Sequence, residues 1–115
     1  MSWKIVDSEE DLESIVANSF QRGQVIFKHS TRCSISKTVL NRIEKAGFPE
    51  EMDFYFLDLL KYRPVSNRIA EKFAVHHESP QVLLIRNGEC TFDESHMGIT
   101  IQELIEENSK AINNN

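Results

Sequence analysis

Apolar residues recur along this chain with two different periods, and the alternation between them sets the order of elements. Leu12, Ile15, Val16 and Phe20 are spaced as on one face of a helix. Ahead of them, Ser8-Glu9-Glu10-Asp11 offers a capping hydroxyl and then acids against the positive end of the dipole. Gly23 is expected to close that helix as a left-handed cap. Gln24 to His29 carries Val25, Ile26 and Phe27 in succession, a run suited to a strand buried on both faces. Helical spacing returns at Ile35, Val39, Leu40, Ile43 and Ala46, with Gly47 and Pro49 as stop signals. Phe54-Tyr55-Phe56-Leu57, between Asp53 and Asp58, predicts an aromatic strand. Pro64 sits where a first helical turn tolerates a missing amide hydrogen, and a helix through Ile69, Ala70, Phe73 and Ala74 follows.

The strongest strand is Gln81 to Arg86, introduced by Ser79-Pro80. Asn87-Gly88 is a two-residue hairpin signal of the type I′ kind, with Glu89 to Asp93 as the returning strand. Thr100-Ile101-Gln102-Glu103 reads as a capping box before a last amphipathic helix through Leu104 and Ile105. A first strand around Lys4 to Val6 is weakly signalled. Strands that alternate with helices give a parallel portion, and the hairpin adds an antiparallel one. The expected class is α/β: a mixed four- to five-stranded sheet sandwiched by helices, a βαβ unit followed by ββα, which is the order of the thioredoxin fold. One domain over residues 1–109 and a polar tail over 110–115 complete the reading.

Composition narrows the function. At 115 residues and 40% hydrophobic, the chain can fill one core without staples. A net charge of −5 argues against a nucleic-acid partner, which needs clustered Lys and Arg. The longest aliphatic run, Val82 to Ile85, is far short of a membrane span, and Met1-Ser2-Trp3-Lys4 leads into no apolar stretch. A cytoplasmic location is expected. His29, His76, His77 and His96 contain no His-x-x-x-His pair, and two distant cysteines form no Cys-x-x-Cys, so no metal site is expected.

Two cysteines in a reducing compartment seldom form a structural bridge. Cys33 falls between a buried strand and a helix start, in Cys33-Ser34-Ile35-Ser36. The thiolate is the nucleophile, and the unpaired amides of a helix N-terminus favour it. Arg32 and Lys37 add cationic charge, and the Ser36 hydroxyl is placed to donate to the sulfur. The competing reading is a small buried thiol filling space, against which the flanking Arg32, Ser34 and Ser36 argue. A serine at residue 36 cannot resolve a mixed disulfide, so an external thiol must. That is monothiol chemistry. Cys90, on the returning strand, reads as a packing residue.

Taken with Lys28-His29-Ser30-Thr31-Arg32-Cys33-Ser34-Ile35-Ser36, the segments His77-Glu78-Ser79-Pro80-Gln81 and Ser95-His96 with Ile99-Thr100 resemble the monothiol bacilliredoxins of the YtxJ type, within the thioredoxin superfamily. The resemblance implies removal of bacillithiol from S-bacillithiolated client proteins. Bacillithiol would be the low-molecular-weight co-substrate, and no tightly bound cofactor is implied. It also implies a cis peptide before Pro80, with Ser79, Pro80 and His96 near the cysteine as substrate-binding residues. Family members often carry proline where this chain has Ser34, a difference expected to loosen the first helical turn. Three other classes stay open at this stage. A Cys-x-x-Ser iron–sulfur carrier lacks its usual glycine here. A thiol peroxidase echoes only faintly in Ser30-x-x-Cys33. A non-catalytic thioredoxin-like binding module is the third.

Overall fold

The computed structural model describes residues 3–113. Five strands and four helices alternate: β1 (Lys4–Ile5), α1 (Glu9–Asn18), β2 (Gly23–His29), α2 (Ser34–Ala46), β3 (Met52–Asp58), α3 (Arg63–Phe73), β4 (Gln81–Arg86), β5 (Glu89–Ser95) and α4 (Ile101–Asn113), with a 3₁₀ turn over His96–Gly98. The sheet order is β1-β3-β2-β4-β5. β1 and β2 lie parallel to β3, whereas β2–β4 and β4–β5 are antiparallel. This is the mixed α/β sandwich expected from the pattern. Among the described residues no helix is long and apolar enough to cross a membrane.

β2 lies in the middle of the sheet and is buried from end to end. Its alternate side chains enter two cores. Val25 and Phe27 join Val39 and Ile43 of α2, Val82, Leu84 and Leu104 of α4. Ile26 joins Leu12 and Ile15 of α1, Ile69 and Phe73 of α3, Leu83 and Ile85. Period-two alternation thus explains why the run has no polar face: each face has helices over it. Trp3 closes the first core at its edge, stacked 5.6 Å from Phe27 and edge-on to Phe48, Phe54 and Phe56.

Local signals mostly act as read. The Ser8 hydroxyl accepts from the Asp11 amide at 3.2 Å, and the Thr100 hydroxyl from Glu103 at 3.2 Å. Asn87 and Gly88 have φ of 53° and 79°, the two positive values that a type I′ turn demands. Several boundaries differ, among them β5, expected over Glu89 to Asp93, which runs on to Ser95. Gly23 caps nothing: α1 ends at Asn18 with Ser19 as its C-cap, and Gly23 is the first residue of β2. A Cβ there would lie 2.4 Å from Asn108 Oδ1, so glycine serves close packing against α4. Phe20 lies past the helix end and is exposed rather than in the core. Ala74 is not helical but the left-handed cap of α3. Residues 110–113, read as tail, continue α4; residues 114–115 lie outside the described segment.

Phe27 is fully buried and faces Trp3, His29 and Phe56. Phe27→Ala is expected to cost about 3–5 kcal/mol through the lost transfer energy and the cavity left behind. Urea unfolding followed by Trp3 fluorescence measures it.

Candidate functional site

At the carboxyl end of β2 the chain must leave a fully buried strand and enter a helix. It does so through a tight turn. The Cys33 amide donates to the Ser30 carbonyl at 3.2 Å, and the Arg32 amide to the Ser30 hydroxyl at 3.4 Å. Cys33 itself has extended backbone, φ −106° and ψ 119°, and is the N-cap of α2; its carbonyl accepts the helix's first bond from Lys37 at 3.2 Å. The thiol is half-buried and outside any disulfide. It therefore sits where the free amides of the first helical turn concentrate positive potential. Arg32 and Lys37 are both exposed beside it.

The hydrogen bond expected from Ser36 to the sulfur does not form. Ser36 is fully buried; its Oγ accepts from the Ser30 amide at 3.1 Å and lies 2.7 Å from His29 Nδ1. The Cys33 side chain also accepts no cap hydrogen bond from the amides of the first turn. The cause is the preceding strand. His29 continues the face of Val25 and Phe27, is 4% exposed, and packs its ring on Phe56 and Phe27. A buried imidazole needs a polar partner, and Ser36 is the one within reach. Burial lowers the His29 pKa below its ordinary 6.5, with Asp58 opposing and Lys37 reinforcing the shift. The arrangement that uses both capacities of the hydroxyl has a neutral ring unprotonated at Nδ1, Ser36 O–H donating to it and Oγ accepting from Ser30. Ser36 is thus a brace for the turn that presents Cys33. Nothing in the sequence pattern linked residues 29 and 36.

The second cluster of residues singled out from the sequence lies on the same rim. The Ser79–Pro80 peptide is cis, and Pro80 is buried. Gln81 pairs with Lys28 in the antiparallel β2–β4 ladder, so the next step of that register brings Pro80 opposite His29, four residues ahead of Cys33. On the other flank the Leu59 amide donates to the His29 carbonyl at 3.1 Å. His96 donates its amide to the Pro80 carbonyl at 2.9 Å, with φ of 59°. Its ring is directed at an acid: Nε2 lies 3.4 Å from Glu78 Oε1, and His76 Nε2 is 3.8 Å from the other Glu78 oxygen. Arg42 of α2 donates to the carbonyls of Met97 and Ile99, both at 2.8 Å, which ties the 3₁₀ turn to the cysteine's helix. Ser79, Pro80 and His96 therefore lie at the end of the sheet where β2 runs into the turn that carries Cys33.

Cys90 is not part of it. It pairs with Ile85, which pairs with Gln24 at the start of β2, so it lies toward the opposite end of the sheet, about 17 Å along the strands. Its thiol donates to the Phe92 carbonyl at 3.3 Å, and burial, helped by Asp93, pushes its pKa up to about 11.

Residues 4–104 match the family described as monothiol bacilliredoxin BrxC. The chain belongs to that family. It is also similar to a solved structure described as a candidate oxidoreductase with a thioredoxin fold, at 29% identity and a TM-score of 0.78, with 90% of each chain covered. Thioredoxins from Trypanosoma brucei brucei (16% identity, TM-score 0.74, 99% of this chain and 93% of that one) and Schistosoma mansoni (18%, 0.73, 95% and 94%) share the fold. The protein is a thioredoxin-fold monothiol redox enzyme.

Ser36→Ala strands His29 Nδ1 and the Ser30 amide, and is expected to cost about 1–3 kcal/mol in thermal unfolding. His29 and His77 are both held below the ordinary 6.5 chiefly by burial. The unfolded chain therefore takes up protons first as pH falls. Stability is full above 6.5 and declines below it toward the lowered folded values. The melting temperature should drop on acidification, and less so in His29→Gln. At pH 8 only roughly one part in a thousand of Cys90 is thiolate. Iodoacetamide should then label Cys33 in the folded protein and Cys90 only after denaturation, as read by peptide mass spectrometry.

Proposed function

We propose that this bacilliredoxin removes bacillithiol from protein mixed disulfides. The Cys33 thiolate attacks the bacillithiol-side sulfur; the new S–S bond joins Cys33 to bacillithiol, and the client leaves as a thiolate that takes a proton from solvent. A second bacillithiol thiolate then attacks the Cys33-bound bacillithiol. This restores Cys33 and yields bacillithiol disulfide, whose reduction belongs to another protein. The observation that carries this reading is the half-buried thiol at the N-cap of α2 with no second thiol in reach. Ser36 is buried and committed to His29, so nothing internal displaces what Cys33 captures.

The remaining roles follow from position. Arg32 and Lys37 stabilise the thiolate from solvent. The backbone at Ser79–Pro80 pairs with the extended segment around the client disulfide, and His96, fixed by Glu78, borders that segment. Exposed Ile35, Leu60 and Met97 stand on the rim around these groups and give a client protein apolar contact. The chemistry is cytoplasmic, where a low-molecular-weight thiol is abundant and reduced.

Release of client thiol from a bacillithiolated protein, in the presence of bacillithiol, tests the reading. Cys33→Ala should abolish release, and Cys90→Ala should retain the wild-type rate. Full activity in Cys33→Ala would refute it, and loss in Cys90→Ala would replace it with a two-cysteine mechanism.

A further inference from the structure

β2 ends with two polar residues that point to opposite faces and are both buried. His29 has Ser36; Lys28, on the other face, is fully enclosed. Its Nζ lies 3.4 Å from the Ser66 carbonyl of α3 and 3.2 Å from His77 Nδ1. No carboxylate among the described residues comes within ion-pair distance of it. A buried ammonium without an acid is costly, and nothing in the packing requires one at this strand position. The surroundings oppose the charge: burial, and then Arg63 of α3, lower the Lys28 pKa from 10.5 to about 8. The partner on the far side is informative. His77 belongs to the stretch between α3 and β4 that leads directly into Ser79–Pro80. An ammonium only donates, so His77 Nδ1 accepts, and the ring is neutral with its proton on Nε2. His77 is held below its ordinary pKa by burial, then by Lys28 and Arg63, with Glu78 opposing and His76 reinforcing.

We propose that Lys28 is a positioning residue for exchange at Cys33: its ammonium, anchored on the Ser66 carbonyl and donating to His77 Nδ1, holds the loop that carries Ser79–Pro80 against the rim where the thiol sits. The proposal rests on the reading that Cys33 exchanges with protein mixed disulfides lying along that loop. Other contacts of the loop come from its own neighbourhood: Gln81 Nε2 donates to the His76 carbonyl at 2.9 Å, and Glu78 meets His76 and His96. Beyond the β2–β4 ladder, which begins at Gln81, Lys28 to His77 is the side-chain contact among the described residues that ties the loop to β2, the strand that leads to Cys33. An error in the loop's placement therefore becomes an error in where the substrate disulfide meets the sulfur.

The experiment uses the full chain and a bacillithiolated client protein. Lys28→Met keeps the length of the side chain and removes the buried charge, so the fold should hold. Its kcat/KM for client release should fall roughly 10- to 100-fold, mostly through KM. Cys33 alkylation by iodoacetamide, which needs no loop, should stay within about twofold of wild type. His77→Leu should match Lys28→Met, His77→Asn, which keeps an acceptor, should stay near wild type, and the Lys28→Met/His77→Leu pair should be non-additive. In nuclear magnetic resonance titration, Lys28→Met should raise the His77 midpoint, a shift that a merely space-filling lysine would not control. A folded Lys28→Met with client release unchanged overturns the proposal, as does His77→Asn as impaired as His77→Leu. Should Lys28→Met fail to fold, the two His77 variants decide alone. A fully active Cys33→Ala would instead sink the exchange reading, so the two failures are distinct.

Discussion

The site depends on one constraint: the central strand is covered on both faces along its whole length, yet its last two residues are polar. Water cannot satisfy Lys28 and His29, so protein groups must, and each partner is a piece of the functional rim. His29 takes Ser36 and thereby fixes the turn that presents Cys33. Lys28 takes Ser66 and His77 and thereby reaches the loop before Pro80. The cost of burying unpaired polar groups, about 1–3 kcal/mol each by mutational measure, is what gives these contacts their force.

That constraint changes the meaning of the Cys-x-x-Ser motif. The serine is where a second cysteine would stand in a dithiol site, and its hydroxyl was the natural donor to the sulfur. Because the strand places an imidazole directly beneath it, the hydroxyl turns inward instead. The sulfur is left with the first turn of α2 and the exposed Arg32 and Lys37 as its surroundings, without a neighbouring hydroxyl. The monothiol character is enforced twice. Serine cannot form a disulfide, and Cys90 sits protonated toward the other end of the sheet.

The rim also divides its labour by element. The end of β2 and the start of α2 hold the Cys33 sulfur. The loop with Ser79–Pro80 and the 3₁₀ turn with His96 are met by side chains that reach across: Lys28 from β2 and Arg42 from α2.

The order of elements, the central strand, the hairpin and the cysteine at a helix start were legible in the chain alone, because period, turn chemistry and capping are local properties. Asn87-Gly88 was equally plain, whereas the cis form of Ser79-Pro80 came from the family resemblance and not from the residues themselves. Other features needed the third dimension. Gly23 looked like a helix cap, but its role is to let Asn108 approach from 85 residues away. Ser36 and His29 meet only because strand and helix fold back on each other, and Lys28 finds His77 only across the sheet. Partners of buried polar side chains are chosen by tertiary packing, since burial itself is what obliges them to pair, and a one-dimensional pattern does not say who will be within three ångströms.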